Sequence, residues 1–145
     1  MWVVTHTLSG LALGAVLVER GAHVLTIVMA ALLLHILLDL VPHWDYTRVR
    51  CRVLCAAADA SVSFGILWLA WAVGGFEWPV ILAGVLSALP DLDVVTGSLS
   101  RRERPVRLFP SHWRGFPHGS APPLPGVLVQ VAVAAVSGVT LLLGR

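Results

Sequence analysis

Five times between residues 2 and 143 the chain enters a long apolar run, at roughly 2–18, 22–41, 53–74, 78–95 and 125–143. Runs of this length constrain the fold more than any other feature. An α-helix needs about 20 residues to cross a hydrocarbon core about 30 Å thick. The second, third and fifth runs meet that length. The first and fourth are short, so they span a thinned region or stop within the interface. Helix is preferred over strand because a lone strand facing lipid leaves its backbone unsatisfied. The expected fold is all-α and polytopic, with about five transmembrane or membrane-embedded helices in a single domain over 1–145.

Composition agrees. Hydrophobic residues make up 57% and charged residues 12% of the chain, about half the charged fraction of a soluble domain. The N-terminus "MWVVTHTLSG" lacks a basic n-region, and apolar segments continue to the C-terminus, so a signal peptide does not explain the hydropathy. Cys51 and Cys55 lie one helical turn apart and match no zinc or redox spacing.

All ten basic residues are Arg. Arg48, Arg50 and Arg52 follow the second run; Arg101, Arg102, Arg104, Arg107 and Arg114 follow the fourth. Arg20 and Arg145 fall on the other side. Eight against two places the two basic loops, and the N-terminus, on the cytoplasmic side of the membrane. The larger of them is an Arg/Pro-rich loop at about 96–124. Arg residues confined to short loops argue against nucleic-acid binding; the expected partners are membrane lipids.

On that topology five Asp and five His converge on one face: His6, His35, Asp39, His43, Asp45, Asp59, Asp91, Asp93, His112 and His118. His35 and Asp39 are i and i+4, so they share a helical face. Pro42 ends or bends the helix before His43. Pro90 is expected to break the fourth helix, so that Asp91 and Asp93 of "LPDLD" turn inward. Mixed imidazole and carboxylate ligands suit Zn, Mn or Fe. The number of ligands suggests two ions, and paired ions about 3.5–4 Å apart clamp the attacking and leaving oxygens of a phosphoester.

Each residue also has a plainer reading. His6 can be an interfacial histidine, and His43 and Asp45 part of an interface belt with Trp44 and Tyr46. Asp59 lies deep enough to cost about 2.5–3.5 kcal/mol unless partnered, by a metal or by an ion pair with Arg52. "PDLD" can cap a helix, and His112 and His118 can be loop residues. Arg101 to Arg107 read as a topogenic stretch on anionic lipid, whereas Arg114 can clamp a phosphate. Gly10 and Gly14 form a small-xxx-small pair able to pack the first helix closely. The last run carries no ionisable residue before Arg145 and reads as scaffold.

The segments "THTLSGLALG", "HILLD", "LPDLD" and "HWRGFPHGS" together resemble the membrane-bound metal-dependent hydrolases of bacteria, the YdjM-like group. Members combine an N-terminal Thr-His, a Pro-Asp-x-Asp element, a His-Arg-Gly-x-x-His-Ser type loop and a His-x-x-Leu-Asp helix. The resemblance implies a metal site of His6, His35, Asp39, Asp91, Asp93, His112 and His118. Here "HILLD" precedes "PDLD" and the histidine loop carries extra residues, as in a distant or rearranged member.

The resulting expectation is a hydrolase of a phosphoester in a lipid or lipid-linked substrate. Its ligands would be His6, His35, Asp39, His43, Asp45, Asp59, Asp91, Asp93 and His112. His118 would protonate the leaving oxygen, and Arg114 would stabilise phosphoryl charge. The competing expectations are a divalent-cation or proton transporter through Asp59 and the His/Asp stripe, and a non-catalytic membrane protein whose polar cluster only joins helices.

Overall fold

The computed structural model describes residues 1–99, 107–113 and 115–144. The protein is all-α, with no strand among the described residues. The helices are α1 (Val3–Glu19), α2 (Val24–Leu40), α3 (Arg52–Ala72), α4 (Trp78–Ala88), α5 (Leu92–Leu99) and α6 (Pro123–Leu143). A 3₁₀ turn, Leu89–Asp91, joins α4 to α5. Three spans are long and apolar enough to cross a membrane: Arg52–Ala72, Trp78–Gly97 and Pro123–Leu143. The lengths therefore differ from expectation at two runs.

The second run is shorter than it reads, with 17 helical residues. The cause is local. Proline disfavours the helical region for the residue before it, and Val41, before Pro42, is extended at φ −69° and ψ 133°. The fourth run is longer, reaching Gly97. Pro90 removes one N–H from the ladder, and the helix tightens to a 3₁₀ turn there before resuming as α5 instead of breaking.

Helix α1 is the hub, packed against α2, α3, α4 and α6. Its approach to α4 depends on small residues. A Cβ at Gly10 would lie 2.5 Å from the Ala83 carbonyl oxygen and 2.7 Å from Ser87 Cβ, so only glycine permits this spacing. Between helices α1 and α6, Ser9 Oγ meets Ser137 Oγ at 3.0 Å. Gln130, fully buried on α6, accepts from Trp2 N at 2.7 Å and donates to the Trp44 carbonyl at 3.0 Å. The last helix is scaffold, joined by hydroxyls and one amide.

Helix α2 shows how the layers divide. Ile27, Ala31, His35 and Asp39 recur every four residues and are buried, whereas Leu25, Met29, Leu33 and Leu37 recur at the same spacing and are exposed. The other long helices also leave large apolar side chains uncovered, including Phe64, Trp68 and Trp71 on α3 and Leu128, Val136 and Leu142 on α6. Such a surface belongs against lipid. Buried polarity gathers instead where α1 begins, α2 ends and α4 meets α5.

Candidate metal centre

His6, His35 and Asp39 are wholly buried, and Asp91 is 3% exposed. Each of the four offers one ligand atom, and these atoms all lie within 4.8 Å of one another. His6 Nε2 is 3.3 Å from Asp39 Oδ1 and 3.5 Å from Asp91 Oδ2. His35 Nε2 is 3.1 Å from Asp39 Oδ2. The loop before α6 adds His112, whose Nε2 is 3.4 Å from both Asp39 Oδ2 and Asp91 Oδ1. A metal with ligands at about 2.0–2.2 Å holds them about 3.0–4.2 Å apart, from right-angled to opposed. The spacing fits a cage for one or two cations.

The orientation of the rings fits as well. A ligating histidine donates its other N–H to a fixed oxygen, which sets the tautomer and leaves a lone pair for the metal. His35 Nδ1 lies 2.8 Å from the Ser87 carbonyl. Three residues beyond Ser87 stands Pro90, which has no N–H to give that oxygen. His112 Nδ1 lies 2.6 Å from Asp93 Oδ1. In His43, Nδ1 lies 2.8 Å from the Val41 carbonyl, an oxygen exposed by the end of α2.

Four buried atoms of the cluster have no hydrogen-bond partner among the described residues: His35 Nε2, Asp39 Oδ2, His43 Nε2 and Asp91 Oδ2. Each such atom costs about 1–3 kcal/mol when left unpaired. A cluster serving only to join helices would pair them. These donors instead crowd one another without hydrogen-bond alignment, as ligands around a cation do. The Met1 ammonium supplies part of the missing positive charge, donating to Asp39 Oδ1 at 2.9 Å.

Three expected ligands take other roles. The carboxylate of Asp93 is filled by His112 Nδ1, Arg107 Nη1 and the backbone N–H groups of Leu108 and Phe109. It anchors the loop and orients His112. Asp59 accepts from Val3 N at 2.8 Å, Val4 N at 2.9 Å and Tyr46 Oη at 3.0 Å. Helix α1 starts after Trp2 with no side-chain cap of its own, so a carboxylate from α3 caps it. The hydrogen bonds of the Asp59 carboxylate among the described residues thus go to the start of α1 and to Tyr46, and not to Arg52. Asp45 accepts from Thr47 N and Thr47 Oγ1 and caps the 3₁₀ turn Tyr46–Arg48.

His43 and His118 form a separate group with Asp39. His118 is half-buried, with Nδ1 4.0 Å from Asp39 Oδ2. Arg114 lies outside the described residues.

The described part of the Arg/Pro-rich loop folds over the cluster. Gly119 N donates to the Asp39 carbonyl at 2.7 Å, and Ala121 N to the His43 carbonyl at 3.0 Å. A cavity of about 270 Å³ opens beside the cage, lined in part by Asp91, Arg107, His112, Trp113, Phe116 and His118. Arg107 reads from sequence as one of a topogenic run. Its place at the cavity follows from its hold on Asp93, 14 residues away in the chain, which no local pattern signals.

Outside the membrane-spanning helices, charge is set by burial against nearby carboxylates. Burial opposes a charged ring at His112, but Asp39 and Asp91 outweigh it and raise its pKa to about 10. Burial lowers His43 to about 4, with the Met1 ammonium acting the same way. Burial also lowers His118, which disfavours the protonated form a general acid requires.

No protein-family model, curated protein or solved structure matches the chain.

Proposed function

We propose that the protein is a membrane-embedded metal-dependent hydrolase acting on a phosphoester, with a lipid or lipid-linked substrate. The observation that carries this reading is the buried group of His6, His35, Asp39 and Asp91, with one ligand atom of each gathered within 4.8 Å, in which His35 Nε2, Asp39 Oδ2 and Asp91 Oδ2 have no hydrogen-bond partner among the described residues. A bound divalent transition metal, Zn, Mn or Fe, supplies Lewis acidity and lowers the pKa of water. His6, His35, Asp39, Asp91 and His112 would hold it, because both carboxylates face His6 and His112. Asp93 keeps His112 in position, and Arg107 at the cavity wall faces the charge of a phosphoryl group.

Support for a lipid substrate comes from the surroundings. The cavity beside the cage carries the apolar Val94, Trp113 and Phe116. The Arg distribution favours a cytoplasmic cage, and the resemblance to a bacterial family implies a bacterial inner (cytoplasmic) membrane. The "HILLD", "LPDLD" and "HWRGFPHGS" motifs add their resemblance to the YdjM-like hydrolases. Transport is the weaker reading, because α1 meets α4 through the buried apolar cluster of Leu11, Ala15 and Val80, with no ionisable side chain in it.

The test is elemental analysis of the purified, detergent-solubilised protein, followed by a phosphoester screen that includes lipid phosphates. One to two transition-metal ions per chain, with chelator-sensitive hydrolysis lost in His35→Gln, is the expected result. Near-zero metal after incubation with Zn, Mn or Fe would overturn the reading.

A further inference from the structure

We infer that Asp39, His43 and His118 form a second cation site, open to the cavity, and that substrate oxygen meets the protein's metal there and not in the buried cage. This rests on the reading of the inner cluster as a metal cage.

The three residues offer ligand atoms within 4.8 Å of one another. His43 is 1% exposed; its Nδ1 lies 2.8 Å from the Val41 carbonyl, and its Nε2 is buried with no partner among the described residues. With Nδ1–H donated to Val41, that Nε2 carries a lone pair. His118 Nδ1 stands 4.0 Å from Asp39 Oδ2, too far for a hydrogen bond. Two ligands of one ion stand about 3.0–4.2 Å apart, from right-angled to opposed. The His43 and His118 rings meet edge to face, centroids 4.8 Å apart at 79°. Met1 takes Asp39 Oδ1, which leaves Oδ2 as the atom common to both sets.

The frame is prearranged. Pro42 ends α2, and the carbonyls of Asp39 and His43 accept from Gly119 N and Ala121 N. These two bonds hold the segments bearing His43 and His118 side by side. A Cβ at Gly119 would run into the Val41 carbonyl, so the close approach requires glycine.

The difference between the two sets assigns their roles. The inner four residues are all buried; Asp91 and His112 reach the cavity wall, but His112 brings the inner donors to five, and a site whose positions are filled by protein is the structural kind. The outer set has three protein ligands, and His118, 37% exposed at its side chain, lines the 270 Å³ cavity. Three ligands and an open side are what a catalytic ion requires. The ligand class is an anionic oxygen, as on a phosphate ester, which Arg107 in the same cavity wall would also face.

The experiment is a Co(II) titration of the full chain in detergent after chelator stripping, followed by visible absorption and checked by metal analysis. Wild type should take two equivalents. His43→Gln and His118→Gln should each weaken the second at least tenfold and leave the first unchanged. His118 is partly exposed, so its variant reports even if His43→Gln fails to fold. Two equivalents in both variants with wild-type affinity would overturn the outer site. A single equivalent in wild type, lost in His35→Gln, would overturn it while leaving the cage standing. No uptake by wild type would remove both.

Discussion

His112 and Asp93 meet at 2.6 Å through Nδ1 and Oδ1, and the opposite ring nitrogen of His112 lies 3.4 Å from both Asp39 and Asp91. The carboxylate behind the ring thus decides where the lone pair in front points. Outer partners of this kind are worth about 10–100-fold in metal affinity. Asp93→Asn should weaken metal binding about tenfold and Asp93→Ala about a hundredfold, with the same stoichiometry at saturation. Competition titration against a chromophoric chelator measures this. A lower stoichiometry in Asp93→Asn would instead make Asp93 a ligand.

Asp39 behaves differently, because four histidines face it. Its Oδ1 faces His6, and its Oδ2 faces His35, His112 and His118. Asp39→Asn keeps the shape and removes the charge. It should abolish tight metal binding at both groups, while the protein still inserts and elutes as a single species in detergent. Wild-type metal content in this variant would exclude Asp39 as the shared ligand.

Much of this was legible in the chain. The i,i+4 spacing of His35 and Asp39 and the one-sided Arg loops bring His6, His35, Asp39, Asp91 and His112 to one end of the bundle, where they now lie. Asp91 and Asp93 were not separable, because which one faces the cage depends on the 3₁₀ turn at Pro90. Asp59 was misread for a related reason. An acid deep in an apolar run needs a partner, but that the partner is the uncapped start of α1, 55 residues earlier, is a tertiary fact. Pairing of His43 with His118 likewise depends on backbone bonds between distant segments.

The raised pKa of His112 fixes the sign of a pH effect on the metal-free protein. Its folded value, about 10, lies above the ordinary 6.5. The stability it contributes is therefore fully present below about 6.5 and is lost as pH rises towards about 10. In chelator, the thermal midpoint should fall across that window, and His112→Gln should flatten the fall. Metal uptake near pH 7 should release the His112 proton, so affinity should rise with pH. Thermal melts in chelator and proton-release measurements check the two halves. A wild-type melting curve as flat as that of His112→Gln would contradict the first.

Asp59 separates support from ligation most cleanly. Its three hydrogen bonds go to the start of α1 and to Tyr46, and none goes to the cage. Asp59→Ala strands two backbone donors and a phenol at the helix that carries His6. Loss of a helix cap costs about 0.5–2 kcal/mol, and hydrogen bonds to a charged group add to it. The variant should melt several degrees below wild type, yet at low temperature it should bind the same number of metal ions. Detergent-phase thermal melts and metal analysis on one preparation decide the matter. An unchanged melting temperature with metal lost would return Asp59 to the ligand set, and with it the carboxylate-lined path on which the transport reading depends.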